Sequence, residues 1–404
     1  MRKKFLLIVL LSTLLVGATA MAQVTITFWH AMGKAHAPAL EKLTQDFMAK
    51  NPGIKVELIY QGGYGALSQK LIAAVAAGEP PTIAQQYENW TTQWLDGLVD
   101  LGRYLPPEVI ADIHPRHLQL FEGRLVTVPF NKSILVLYYR PDLVPVPPTT
   151  WEEFLSLACA LTVDLDGDGK IDRWGTGLRP PNPEIFLAFL AQNEGSILSD
   201  DWTQVTINDT KGLETAEFVA KLAKCALVQG GYLSDPFGLG QIAMFVDTSA
   251  GYPYNLDAAK RGGFPMAVAP VPCRKTCASM IQGTNLAIFA MNQTEEQIQA
   301  AAKYIAFLLE PENTAYWAKE TGYLPVTISG FESASWQAFI AERPEQRVMT
   351  EQFMVGGFGQ LLHPNYWDMR EALITYYELL LREEKAPKAV LDELAAELQA
   401  LISK

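Results

Sequence analysis

Val24-Thr25-Ile26-Thr27-Phe28-Trp29 opens the stretch of chain whose reading decides the fold. It is uncharged and rich in β-branched and aromatic residues, which predicts a buried strand. Pro38–Lys50 follows with Leu40, Leu43 and Phe47 at helical spacing, and Pro38 is tolerated in a first turn. Asn51-Pro52-Gly53 stops that helix. Ile54–Tyr60 alternates as a strand, Leu67–Ala77 is helical again, and Thr82–Gln86 is a short strand. Strand and helix in strict alternation imply an α/β fold, a mostly parallel sheet flanked by helices. Ligands of such sheets sit beyond the carboxyl ends of the strands. At three successive strand ends lie Trp29-His30, Gln61-Gly62-Gly63-Tyr64 and Gln86-Tyr87-Glu88-Asn89. An aromatic after a strand usually finishes the core, and a glycine pair usually makes a turn. Three such clusters in register favour a ligand cleft instead.

Upstream, Arg2-Lys3-Lys4, the apolar run Phe5–Val16 and Ala20-Met21-Ala22 have the layout of an export signal over residues 1–22. The apolar run is short for a bilayer span, and no cysteine at the junction invites a lipid anchor. A soluble, periplasmic or otherwise extracytoplasmic protein is expected, starting near Gln23. The net charge of −12 becomes more negative still once the three basic leader residues go. That surface repels polyanions and argues against a nucleic-acid polymer as partner. It leaves room for a small anion, since one arginine sets the local field. The chain carries no Gly-x-Ser-x-Gly elbow, His-Glu-x-x-His pair or phosphate loop, so an enzyme is not expected. A secreted glycoside hydrolase or phosphodiesterase is the distant alternative.

Four cysteines in an exported chain suit disulfides. Cys159 and Cys225 lie in helix-like stretches that packing could join, and Cys273 and Cys277 could close a small loop. No histidine stands near them, which disfavours zinc. Asp164-Leu165-Asp166-Gly167-Asp168-Gly169-Lys170-Ile171-Asp172 fits the first nine positions of a calcium loop. Asp164, Asp166, Asp168 and Asp172 would offer carboxylates, and Lys170 its carbonyl. The twelfth position is Gly175 where that loop needs glutamate. No cofactor is required by this reading, and a structural calcium is the one metal the sequence suggests.

Five segments carry a family resemblance: Phe28-Trp29-His30, Gly62-Gly63-Tyr64, Gln86-Tyr87-Glu88, Pro129-Phe130-Asn131 with Val136-Leu137-Tyr138-Tyr139, and Thr321-Gly322-Tyr323-Leu324-Pro325. Over nearly the whole mature chain the sequence resembles the extracytoplasmic solute-binding proteins of carbohydrate-class ABC importers, nearest their glycerol-phosphate branch. The resemblance implies two α/β lobes, 23–130 with 284–322 and 131–283 with 323–404, joined by several crossings with ligand between them. It implies a monomer that passes a phosphorylated solute (glycerol 3-phosphate, a glycerophosphodiester, or a larger phosphodiester such as a nucleotide) to permease subunits. A neutral sugar or oligosaccharide is the alternative cargo. It further implies ligand contacts from Tyr64, Glu88, Ser133, Ser249, Gly283, Tyr323 and Arg370, with Trp29 and His30 at the first strand end. The family's second lobe offers a Gly-Trp-x-x-Trp stretch, but this chain reads Gly177-Leu178-Arg179-Pro180-Pro181-Asn182-Pro183. One wall of the cleft therefore differs, which favours a cargo larger than glycerol 3-phosphate.

Overall fold

The computed structural model describes residues 23–403, so the leader expected at 1–22 lies outside the described residues. Ten strands follow in chain order: β1 (Val24–His30), β2 (Ile54–Tyr60), β3 (Ile83–Gln86), β4 (Val128–Tyr139), β5 (Thr176–Leu178), β6 (Ala226–Val228), β7 (Met244–Thr248), β8 (Ala267–Ala269), β9 (Ser279–Ile288) and β10 (Gly357–Phe358). One eight-stranded sheet has the order β2-β1-β3-β9-β4-β7, with β10 on β9 and β8 on β4, and β5 and β6 form a separate parallel pair.

The parallel order expected from the opening segment holds for β2-β1-β3. From β9 onward the neighbours run antiparallel: β3 with β9, β9 with β4, and β4 with β7 and β8. The reason is topological. The chain leaves one lobe along β4 and returns along its neighbour β9, so the two crossings must run in opposite directions. Strand β4 is buried on both faces, and its long apolar run reflects that.

Each end of the β4–β9 ribbon has a core on both faces. In the first lobe, Leu40, Leu43 and Phe47 of helix Ala37–Lys50 pack with Tyr304 and Ile305 of helix Glu295–Leu308 against Ile26 and Phe28. The opposite face buries Leu67 and Leu71 with Trp90 and Trp94. In the second lobe, Trp151, Phe189 and Phe218 join Leu373 and Leu394 of the two closing helices beneath Leu135 and Leu137. Val136, Tyr138, Phe237 and Phe245 meet Trp336 and Phe353 on the other side. Burying each large side chain stabilises by about 1.5–3 kcal/mol, which is what holds two lobes on one ribbon.

Cys159 pairs with Cys225 and Cys273 with Cys277, as expected. Cys159 ends the helix Trp151–Ala160, which starts in a capping box made by Thr150 and Glu153. Cys225 lies between helix Thr210–Ala223 and β6 rather than within a helix. The first bridge spans 66 residues and the second 4. Loop-closure entropy then predicts that the double substitution Cys159→Ala/Cys225→Ala costs about 2–4 kcal/mol, and the Cys273/Cys277 equivalent distinctly less. Urea unfolding of the two variants checks the order.

Candidate functional site in the interlobe cleft

The expected residues fall around the place where β4 and β9 leave the first lobe. Asn131 is the centre of a buried polar network. Its Nδ2 donates to the Tyr64 hydroxyl at 3.0 Å, and its Oδ1 accepts from the Thr284 amide at 3.0 Å and from Gln85 Nε2 at 3.3 Å. Gln85 Oε1 in turn accepts from the Ala31 amide at 2.8 Å, fastening the end of β1 to the crossing. The Tyr64 and Tyr323 hydroxyls lie 3.5 Å apart, so two residues 259 positions apart in sequence meet at one spot. Burial raises the pKa of both phenols, and they stay neutral donors and acceptors at any physiological pH.

Aromatic rings continue the wall. Tyr64 packs on Tyr87 with centroids 4.9 Å apart, Tyr87 on Trp90 at 5.2 Å, and Trp90 on Trp367 of the second lobe at 6.2 Å. Glu88, next in sequence, is buried and forms an ion pair with Lys132, itself 1% exposed on β4. Facing them, Arg370 lies on helix Tyr366–Leu381, and its Nε donates to Glu184 Oε1 at 2.7 Å. Glu184 is buried at the start of helix Glu184–Gln192. Burial works against the Arg370 charge, but the Glu184 carboxylate more than offsets it, and the guanidinium pKa rises. Both Arg370 and Glu184 are near enough to act electrostatically on Tyr87, and Arg370, Glu184 and Glu88 all act on Tyr366. The buried Tyr366 hydroxyl has no partner among the described residues. Because Glu184 engages Nε, the two amino groups of Arg370 are left for another acceptor. That edge is the one that binds phosphate or carboxylate through two parallel hydrogen bonds.

Other expected residues take different roles. Ser133 Oγ accepts from Thr248 Oγ1 at 2.6 Å, and Ser249 Oγ accepts from the Ile134 amide at 3.2 Å, so both hydroxyls are engaged in the β4–β7 ladder. Gly283 has φ +112°, and a Cβ there would stand 1.8 Å from the Asn131 carbonyl. The glycine is thus required by the close approach of β9 to β4. Trp29 packs against the first-lobe core. His30 lies between Phe28 and Tyr60, with Nδ1 accepting from the Met32 amide at 3.2 Å.

Burial lowers the His30 pKa from 6.5 to about 4, so the folded protein holds it neutral. The unfolded chain therefore binds the extra proton first as pH falls. This group's contribution, full above about pH 6.5, should be lost towards pH 4, a change on the order of 2–3 kcal/mol. Unfolding free energies at pH 7 and pH 4.5 for wild type and His30→Gln check it: the variant should show a shallower fall.

In the acidic loop, carboxylate oxygens of Asp164, Asp166 and Asp172 gather within 4.8 Å of one another on the surface. Asp168 turns away, accepting from the Lys170 amide at 2.8 Å, and Asp164 accepts from the Gly167 and Gly169 amides at 2.7 and 2.8 Å. Gly175 lies against the Ala158 carbonyl, so the twelfth position is a packing contact.

Lys132 and Glu184, which pair with the expected residues Glu88 and Arg370, were not expected from sequence. A lone lysine inside an apolar strand was a signal of a buried partner, whereas Glu184 resembles any first-turn acid of a helix.

The chain compares closely with proteins of known role. The model of the bacterial extracellular solute-binding proteins matches residues 42–342. The periplasmic sn-glycerol-3-phosphate-binding protein UgpB of Escherichia coli K12 is 27% identical over 366 residues, covering 83% of this chain and 82% of that one. UgpB from Mycobacterium tuberculosis, solved in complex with glycerophosphocholine, superposes with a TM-score of 0.83 at 22% identity, over 94% of this chain and 98% of that one. The maltose/maltodextrin-binding domain MalE from Bdellovibrio bacteriovorus, solved with maltotriose, reaches 0.81 at 21% identity, over 94% and 100%. No helix among the described residues is long and apolar enough to cross a membrane. With two lobes on a crossing ribbon and a polar cleft between them, this chain belongs to the bacterial extracellular solute-binding protein family, a substrate-binding component of carbohydrate-type ABC import rather than an enzyme.

Proposed function

We propose that the cargo is a phosphate ester or phosphodiester, held between the lobes by Arg370 and delivered by a monomeric binding protein to its permease. The observation that carries this reading is the Arg370 guanidinium, anchored through Nε by buried Glu184 so that its two amino groups are not used by that bond. A carboxylate at Nε fixes the plane of the guanidinium, and a plane fixed beforehand lowers the entropy lost on binding a tetrahedral anion. Tyr64 and Tyr87, both only partly buried, supply faces for an organic substituent on the phosphate. Support comes also from the UgpB relatives, one named for sn-glycerol 3-phosphate and one solved with glycerophosphocholine.

A neutral oligosaccharide is the second reading. The maltotriose-bound MalE domain shares the fold, and the same aromatic faces suit sugar rings. Calorimetry with glycerophosphocholine, glycerol 3-phosphate and maltotriose separates the two. The phosphate reading expects micromolar or tighter binding of at least one phosphate compound and none of maltotriose; the reverse result overturns it.

A further inference from the structure

We propose that Arg179, Asp247 and Tyr232 form a second recognition site, on the lobe opposite Tyr64, for the hydroxylated end of the solute; the assignment rests on the cleft reading above. The three converge from loops and strand ends of the second lobe. Arg179 directly follows β5, Tyr232 lies four residues beyond its parallel partner β6, and Asp247 is the penultimate residue of β7. Arg179 is mostly buried, yet among the described residues its Nε has no partner, and its Nη1 reaches Asp247 Oδ2 only at 3.5 Å. Asp247 is also buried, and its other oxygen accepts from the Thr248 amide at 2.8 Å. Above the guanidinium, 4.8 Å away, lies the Tyr232 ring, 75% exposed after the Gly230-Gly231 turn, with Gly231 at φ +81°. The Tyr232 phenol is near enough to Tyr64 and Tyr87 to add a small electrostatic influence on both.

The chemistry of this trio differs from that at Arg370. A buried carboxylate beside the guanidinium opposes a second anion there. What the pair has free is donor capacity on the Arg179 guanidinium, whose Nη1 alone reaches Asp247, and spare lone pairs on Asp247 Oδ2. A hydroxyl both donates and accepts, so neighbouring hydroxyls of a polyol or sugar satisfy both at once. The exposed ring gives the carbon-bound face of the same group an apolar surface.

The test measures glycerophosphocholine against propylphosphocholine, which keeps the phosphate and choline but lacks both hydroxyls. Wild type should prefer the hydroxylated compound at least tenfold. Arg179→Met should bring the ratio close to one by weakening glycerophosphocholine alone. Tyr232→Ala, at an exposed position that folding does not need, should weaken glycerophosphocholine three- to tenfold. Equal loss for both compounds in Arg179→Met, or unchanged binding in both variants, overturns the assignment. If wild type binds neither phosphodiester, the phosphate reading falls, and the hydroxyl site is judged on maltotriose. There a tenfold loss in Tyr232→Ala and Arg179→Met supports it, and unchanged affinity overturns it.

Discussion

Arg370→Ala should weaken capture of glycerophosphocholine by about 2–5 kcal/mol, roughly 30-fold to several thousand-fold in Kd. The loss has two parts: two charge-assisted hydrogen bonds to phosphate, and a field that without Arg370 is set by Glu184 and Glu88 and repels the anion. Arg370→Lys separates them. It keeps the charge but not the planar pair of donors, so it should recover only part of the affinity. Because Arg370 also neutralises buried Glu184, its removal alone strands a carboxylate. The pair Arg370→Ala/Glu184→Gln therefore serves as the control for folding, and should melt near wild type while still failing to bind. Calorimetry that finds undiminished affinity in Arg370→Ala removes Arg370 from the site.

Lys132→Met should destabilise the fold by about 3–5 kcal/mol, because it leaves Glu88 buried without a counter-charge. Lys132 occupies β4 opposite Gly283 of β9, at the crossing itself, and both it and Glu88 are buried. Removing both charges, Lys132→Met/Glu88→Gln, should restore most of the loss, since desolvating the pair cancels much of its attraction. Urea unfolding of the two single variants and the double variant measures this as a double-mutant cycle. If Lys132→Met unfolds at the wild-type midpoint, Glu88 is solvated and its burial at the crossing is wrong. The same cycle bears on function. A Glu88 held by Lys132 keeps only part of its acceptor capacity for ligand hydroxyls, so Glu88→Gln should cost less binding than Arg370→Ala.

How far the sequence could be read depended on the range of the interactions involved. The opening strands and helices were legible because periodicity and breakers such as Asn51-Pro52-Gly53 act locally. The antiparallel return of β9 was not, because nothing in Ser279–Ile288 states the direction of its neighbour. Tyr64, Tyr323 and Arg370 were expected from motif resemblance, and the structure brings the hydroxyls of the first two within 3.5 Å of each other. Ser133 and Ser249 illustrate the opposite outcome. A serine hydroxyl fits a ligand or a backbone amide equally well, and only the register of β4 against β7 reveals that these two serve the sheet. Glu184 and Arg179 were hidden for a related reason: their partners, Arg370 and Asp247, lie far along the chain.

The arrangement explains why capture and lobe closure belong together. Tyr64, Tyr87 and Glu88 stand on one lobe, with Arg370 and Arg179 on the other, and the lobes are joined through narrow crossings. A solute that meets both sets favours the closed form by its differential affinity, whereas one that touches a single set shifts nothing. On the proposed function, closure would in turn give the permease a shape that distinguishes loaded from empty protein.

The central claim is that a phosphate-bearing solute bridges the two lobes. Small-angle X-ray scattering of the purified protein, alone and with saturating glycerophosphocholine or maltotriose, tests it most directly. The account predicts a smaller radius of gyration with glycerophosphocholine and no change with maltotriose. Compaction by maltotriose alone, or tight glycerophosphocholine binding without any compaction, would contradict it.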